Sequence, residues 1–258
     1  MPEGDTVYRA AKNLDAVLRG QRLTKSDFRV PEFATIDLAG EIVDDVISRG
    51  KHLLHHIGDV TLHTHLKMEG SWHVYRHGTK WRRPAYQARV VLETEEWVAV
   101  GFDLGIVELV PRDDDDSVVA YLGPDLLGPD WNAEIALTNI ERDPAREIGL
   151  ALLDQRVLAG VGNVYRNELC FLRGVLPTRP VSEVPQLPKM VDLAHRLIQA
   201  NKDRVERTTT GTLRGTTDWV YGRAGKPCLR CGTKIKRGEL GESELELRET
   251  YWCPHCQT

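Results

Sequence analysis

Cys228, Cys231, Cys253 and Cys256 form two Cys-x-x-Cys knuckles about twenty residues apart at the end of the chain. Four thiolates at that spacing read as a tetrahedral zinc site, so the last segment is organised by metal ligation rather than by an apolar core of its own. Four sulfurs leave no open position for water, which makes the expected zinc structural. The fifth cysteine, Cys170, stands alone in the apolar stretch from Glu168 to Leu172 and reads as a small buried hydrophobe, so no disulfide is expected.

The opposite end carries Pro2-Glu3-Gly4. Taken alone, this tripeptide reads as a flexible start. Removal of Met1 would, however, leave a free secondary amine beside a carboxylic acid. An N-terminal amine has a reference pKa of ~7.7–8.0, so much of it is nucleophilic near neutral pH. A proline amine that condenses with a sugar aldehyde gives an iminium that cannot lose its charge by deprotonation. That iminium is an electron sink that acidifies the neighbouring C–H and permits elimination. If Met1 stays, the Pro2 nitrogen is an amide and cannot attack.

The 258 residues are 41% hydrophobic and 28% charged, enough for two domains and a small appendage. No cationic leader with an apolar stretch opens the chain and no apolar run reaches a membrane span, so a cytoplasmic monomer is expected, nucleoid-associated if bacterial. The formal charge of −4 argues mildly against a nucleic-acid partner, but the charge is segregated. Between Lys202 and Arg237 ten Lys/Arg face three acids, a surplus of seven positive charges that can follow a phosphate backbone. Acids gather at 113–116 and at Glu239, Glu242, Glu244, Glu246 and Glu249, which read as a solvated loop and an outward-facing hairpin.

Val7, Ala10, Ala11, Leu14, Val17 and Leu18 recur at helical spacing after Asp5, a candidate N-cap, and Gly20 closes that segment. The N-terminus of that helix would favour an anion, either a phosphate or the Glu3 carboxylate. Short β-rich runs follow at 42–47, 52–57, 60–65, 71–75, 89–93, 97–102 and 106–110, whose even spacing predicts an antiparallel sandwich. Two Gly-Pro-Asp turns between Gly123 and Asp130 mark a hinge. Residues 134–206 read mainly as helices, with apolar periodicity at 148–153, 164–172 and 187–199. Gly160 and Gly162 lie in an apolar turn before Asn163, where the backbone could approach a phosphate.

Arranged in this order, the chain resembles the Fpg/Nei family of DNA glycosylases with AP-lyase activity, and more closely its endonuclease VIII branch. The resemblance runs end to end. It is carried by Pro2-Glu3-Gly4, by 49–54 (Arg-Gly-Lys-His-Leu-Leu), by 152–155 leading into 158–163, by Tyr221-Gly222-Arg223, and by Tyr251-Trp252-Cys253-Pro254 with Cys256-Gln257. It implies an α+β multidomain fold: an N-terminal helix on an antiparallel β-sandwich over 1–122, a hinge at 123–132, a helix-two-turn-helix domain over 133–222 and a four-cysteine zinc finger over 223–258.

By resemblance, Pro2 attacks C1′ and Glu3 protonates the deoxyribose ring oxygen, while Lys51 contacts phosphate and assists β-elimination. Arg248, five residues before Cys253, matches the hairpin arginine that grips phosphate and assists δ-elimination. Asn163 matches the asparagine of the helix-two-turn-helix loop, and Met68 the loop that fills the gap left by a flipped nucleotide, with Lys67 beside it in a DNA-contacting position. Damaged DNA is the implied partner, and excision of an oxidised base with β,δ-elimination the implied activity.

Three departures lean toward oxidised pyrimidines. Thr6 stands where many members have glutamate, Asp103 to Val107 offers no arginine-phenylalanine wedge, and Thr208 to Asp218 is short where Fpg enzymes carry a longer loop. Fpg-type purine specificity and a non-catalytic zinc-finger DNA-binding module are the competing alternatives. His52, His55, His56, His63 and His65 cluster on adjacent expected strands, and solvated or phosphate-facing imidazoles are favoured there over a second metal site.

Overall fold

Val7, Ala11, Leu14 and Leu18 all turn inward from α1 (Gly4–Leu18), as their three- and four-residue spacing requires, and Gly20 follows the helix with φ +71°. The computed structural model describes residues 2–258; Met1, and with it the question of its removal, lies outside the described residues. The chain forms two units, one of Pro2 with Thr6–Tyr121 and one of Glu3–Asp5 with Leu122–Thr258.

The first unit holds eight strands: β1 (Lys25–Phe28), β2 (Val43–Arg49), β3 (His52–Ile57), β4 (Val60–His65), β5 (Ser71–Arg76), β6 (Ala88–Glu93), β7 (Trp97–Phe102) and β8 (Ile106–Pro111). They form two antiparallel sheets, ordered β1-β6-β7-β5 and β2-β3-β4-β8. One apolar core draws on both sheets and on α1, with Phe28, Val90, Leu92 and Ala99 from the first sheet and Val46, Leu53, Ile57 and Leu62 from the second. Strand alternation sends Val91, Val98, Val100 and Phe102 to the other face of the first sheet, where Trp81 packs on them. Arg49 pairs with His52, so Gly50 and Lys51 make a two-residue hairpin turn in which Gly50 takes φ +57°.

In the second unit α2 (Ala133–Glu141), α3 (Ile148–Ala151), α4 (Asn163–Arg173) and α5 (Leu187–Asn201) surround a core that includes Ile140, Leu152, Leu169, Met190 and Ile198. Asn132 caps α2 through its side chain, which accepts from the Glu134 and Ile135 N–H groups, and Gly174 ends α4 in the left-handed conformation. The antiparallel hairpin of β9 (Lys236–Leu240) and β10 (Arg248–Trp252) packs on α4 through Phe171, Val220, Ile235, Tyr251 and Cys253. The fold is thus α+β, with an N-terminal helix, antiparallel sheets, a helical region and a C-terminal hairpin bearing clustered cysteines.

Several local expectations are corrected. Asp5 is the second residue of α1 rather than its N-cap; its carboxylate is held by Arg207 and Tyr165. α3 ends at Ala151 rather than 153, and α5 runs on to Asn201 rather than 199. β1 has no counterpart among the expected strands, because Lys-Ser-Asp-Phe is a short edge strand without an apolar alternation.

Candidate active site and metal centre

Glu3 is fully buried, yet its carboxylate is well provided with donors. The N–H groups of Gly162 and Tyr165 donate to Oε2 at 3.0 and 3.2 Å, and that of Val164 donates to Oε1 at 2.7 Å. These are the otherwise unpaired N–H groups of the first turn of α4, so the carboxylate occupies the anion position at that helix N-terminus. The glycines of the preceding turn make this possible. A Cβ on Gly162 would lie 2.5 Å from the Glu3 Cδ, and one on Gly4 would lie 2.9 Å from the Gly160 Cα. The turn that the sequence offers to a phosphate is therefore filled by the protein's own carboxylate, and the helix that receives Glu3 is α4 rather than α1.

Asn163 opens α4 and is 6% exposed. Its Nδ2 donates to the Glu249 carbonyl at 2.9 Å, while its Oδ1 accepts from Arg166 at 2.5 Å and Asn167 at 3.3 Å. Arg166, fully buried, also donates to the Glu249 carbonyl at 3.0 Å and to Thr250 Oγ1 at 2.7 Å, and the Tyr251 N–H donates to Asn167 Oδ1 at 2.6 Å. Burial pulls the Arg166 guanidinium down to about 10, still charged at neutral pH. These bonds fix the first turn of α4 to β10, whose exposed first residue is Arg248. Arg248 lines a groove of about 240 Å³ together with Arg146, Asp154, Arg156 and Glu242. Glu3, Asn163 and Arg248 thus belong to one hydrogen-bonded framework in the second unit.

A second buried carboxylate, Glu168, shapes the neighbouring loop. It accepts from the Trp219, Val220 and Tyr221 N–H groups at 2.7, 2.9 and 2.9 Å and from the Thr209 hydroxyl. Burial nevertheless raises its pKa. Sequence reasoning missed Asp5, Arg166, Glu168 and Arg207. The signal available for two of them was three consecutive polar residues, Arg166-Asn167-Glu168, interrupting an apolar helix.

Lys51, Lys67 and Met68 fall in the first unit, as does Pro2. Lys51 sits half-buried in the β2–β3 turn. The loop after β4 is closed by the Gly70 N–H on the Leu66 carbonyl at 2.8 Å and by the Lys67 N–H on His65 Nδ1 at 2.9 Å; Lys67 takes φ +51° and Met68 is 54% exposed. Lys67 packs against Gly105, where a Cβ would come within 2.2 Å of the Lys67 Cγ. Met68 stands out on a strained, tightly bonded loop rather than in the core.

His52, His55, His56 and His63 are buried, which overturns their reading as solvated imidazoles. The Tyr121 hydroxyl lies 2.7 Å from His52 Nε2, His52 Nδ1 lies 2.7 Å from His63 Nε2, and His63 Nδ1 lies 2.8 Å from Glu108. One tautomer set satisfies this chain with both rings neutral, each donating toward Glu108. Burial, then His65, His63, Lys67 and Lys51, push His52 down to about 3, and burial with Lys67 and Lys51 pushes His65 down to about 4.

The cysteine sulfurs of Cys228, Cys231, Cys253 and Cys256 lie within 4.8 Å of one another, with Cys231 and Cys253 at 3.5 Å and Cys228 and Cys256 at 4.0 Å. Four thiolates bound at about 2.3 Å in a tetrahedron would lie about 3.8 Å apart. The donor set and spacing fit one metal ion, and it is the one such cluster among the described residues.

Residues 1–103 match the formamidopyrimidine-DNA glycosylase N-terminal domain and residues 122–214 its H2TH domain. The chain is 52% identical over 261 residues to a probable endonuclease 8 2 of Streptomyces coelicolor, covering all of this chain and 94% of that one. It is likewise 52% identical to the DNA-(apurinic or apyrimidinic site) lyase Nei2 of Mycolicibacterium smegmatis, covering 100% of this chain and 99% of that one. Among solved structures, a Lactococcus lactis Fpg in complex with DNA containing an abasic site superposes with a TM-score of 0.84 over the whole of both chains at 21% identity, a likeness of fold. No helix among the described residues is long and apolar enough to cross a membrane. By the two matched domains and by its full-length likeness to endonuclease 8 proteins, this chain belongs to the formamidopyrimidine-DNA glycosylase family.

Proposed function

We propose that this protein is a bifunctional DNA glycosylase and AP lyase of base excision repair, acting on oxidised pyrimidines in DNA through an N-terminal Pro2 amine. The fixing of Glu3 by three N–H groups at the start of α4, one peptide bond from Pro2, carries this reading. It holds a carboxyl group in a defined place beside the only backbone nitrogen of the segment that becomes a secondary amine when Met1 is removed. The likeness to an AP-site lyase over the full chain supports the same chemistry.

In the proposed reaction the Pro2 nitrogen attacks C1′ and the C1′–base bond breaks, its electron pair leaving with the base. Glu3 takes up the proton that the Pro2 nitrogen loses after attack and passes it to the ring oxygen as the sugar opens to the iminium. Loss of the C2′ proton then drives electrons toward that iminium and expels the 3′ phosphate, and a second elimination expels the 5′ phosphate. Lys51 and Arg248 serve as cations for the leaving phosphates. Lys67, Met68 and Asn163 are assigned to DNA contact, with Met68 entering the stack where the damaged nucleotide leaves it. Zinc held by Cys228, Cys231, Cys253 and Cys256 would keep the β9–β10 hairpin folded and take no part in the reaction. We assign residues 1–122 to the catalytic domain, 123–132 to a hinge, 133–222 to the DNA-binding helical domain and 223–258 to the zinc finger. A monomer working in the cytoplasm completes the proposal.

Substrate class is tested by incision of duplexes carrying 5,6-dihydrouracil, 8-oxoguanine or an abasic site, with wild type and Glu3→Gln. The wild type should cut the dihydrouracil duplex faster than the 8-oxoguanine duplex. Glu3→Gln should lose base excision by about 10²–10⁴-fold while keeping part of its abasic-site scission, because an open-chain aldehyde needs no ring protonation. Faster cutting of 8-oxoguanine would assign the purine alternative, and DNA binding without scission would assign the non-catalytic one.

A further inference from the structure

Asp5 and Arg207 lie 202 residues apart in sequence and meet in a part-buried bidentate pair, Arg207 Nη2 to Asp5 Oδ1 at 2.6 Å and Nε to Oδ2 at 2.8 Å. The pair is built into the Glu3 site. Arg207 Nη1 lies 3.7 Å from Glu3 Oε1, and its guanidinium stacks 4.6 Å from the centroid of the Tyr165 ring. The Tyr165 hydroxyl donates to Asp5 Oδ2 at 2.9 Å while the N–H of the same residue donates to Glu3. Two buried carboxylates and one part-buried guanidinium therefore surround one tyrosine.

Such a trio is a poor way to gain stability, since desolvating three charges costs about as much as their attraction returns and apolar residues of similar volume usually do as well. A functional demand explains it better. The ion-paired group of Glu3, Asp5 and Arg207 has a net charge of −1 when both carboxylates are ionised, and the amine one peptide bond away acquires a positive charge as the iminium forms. We propose that Asp5 and Arg207 are positioning residues that hold the Glu3 carboxylate in place and set the site at one negative charge, matched to the cationic iminium on Pro2. This rests on the reading of Pro2 as the nucleophile.

The charged and titratable groups that also face Glu3 are Arg166 on α4 and Asp218 and Tyr221 on the segment between α5 and β9, with Arg248 acting on Arg166. Arg166 and an ionised Asp218 cancel, leaving the balance at −1. Burial raises the Arg207 demand for a partner, and the Glu3 and Asp5 carboxylates more than answer it by raising its pKa above the ordinary arginine value. The sign of the effect on Pro2 follows from Coulomb's law. A more negative surrounding stabilises the ammonium and raises its pKa, whereas a less negative one lowers it.

The test is the rate of cyanoborohydride trapping on an abasic-site duplex as a function of pH under single-turnover conditions. Wild type, Arg207→Met, Asp5→Asn, Arg207→Lys and the double variant Asp5→Asn/Arg207→Met are compared. Trapping requires the neutral amine, so its low-pH limb reports the amine pKa. Arg207→Met, at −2, should move that limb up by on the order of one pH unit, and Asp5→Asn, at zero, should move it down by a similar amount. Arg207→Lys and the double variant, both at −1, should restore the wild-type limb even where the rate stays low. A purely structural staple predicts lower rates with an unmoved limb, or a double variant worse than either single one without return of the limb; either result overturns the inference. No adduct from Met1-free wild-type protein would remove the Pro2 reading itself, and this inference with it.

Discussion

The two units bury polar groups in opposite ways. In the β2-β3-β4-β8 sheet, imidazoles are wired to one another and to Tyr121 and Glu108, and burial pushes His52 down to about 3. Around α4, carboxylates are buried instead, and each is addressed by three backbone N–H groups, Glu3 by the helix N-terminus and Glu168 by the 219–221 turn. A neutral chain satisfies hydrogen bonds without placing net charge in the interior. A carboxylate held by N–H groups brings a full charge to a fixed point, which is what chemistry on a cationic intermediate requires. Under the proposed function, the first arrangement suits a scaffold and the second a reacting centre.

The sharpest way to break this contrast is at the hairpin that closes the second framework. Cys253→Ser should abolish stoichiometric zinc and release β9–β10, because structural zinc contributes on the order of 10 kcal/mol of apparent folding free energy. Metal content by mass spectrometry and amide exchange across 236–252 would report it; unchanged protection in a zinc-free chain would show that apolar packing on Phe171 alone holds the hairpin. A smaller effect is expected at Glu168. Its replacement by Leu leaves three buried N–H groups without an acceptor and should cost roughly 3–5 kcal/mol in urea unfolding. A loss below about 1 kcal/mol would mean that water substitutes for the carboxylate.

The neutral network makes a prediction about pH. His52 is pushed to about 3 and His55 and His65 to about 4, all below the unfolded value of ~6.5, so between those limits the unfolded chain binds more protons. Stability is therefore fully present above about pH 6.5 and should fall as pH drops toward 4. Replacing His52 by Gln should flatten that decline, measured as the urea midpoint from pH 7.5 to 4.5. An equally steep decline in the variant would place the proton uptake elsewhere.

Much of the fold was legible from the chain. β3, β4 and β7 begin and end where the apolar runs do, and the Gly20 and Gly174 stops follow from left-handed geometry. The four cysteines announced their own cluster through spacing. What could not be read was tertiary partnership between distant residues. Asp5 looked like a cap because nothing in its neighbourhood reveals Arg207, and Glu168 looked like one more residue of an apolar helix because its donors lie about fifty residues on. The histidines were misjudged for a related reason, since alternation along a strand says which face a side chain takes but not whether that face is covered.

The central claim is that the Pro2 amine carries the reaction. Borohydride reduction of Met1-free protein on DNA with a single abasic site, followed by peptide mapping, tests it most directly. A covalent adduct of one chain per strand, located at Pro2 and absent when the amine is acetylated, is the predicted result. An adduct on a lysine such as Lys51, or strand scission undiminished after acetylation, would contradict it.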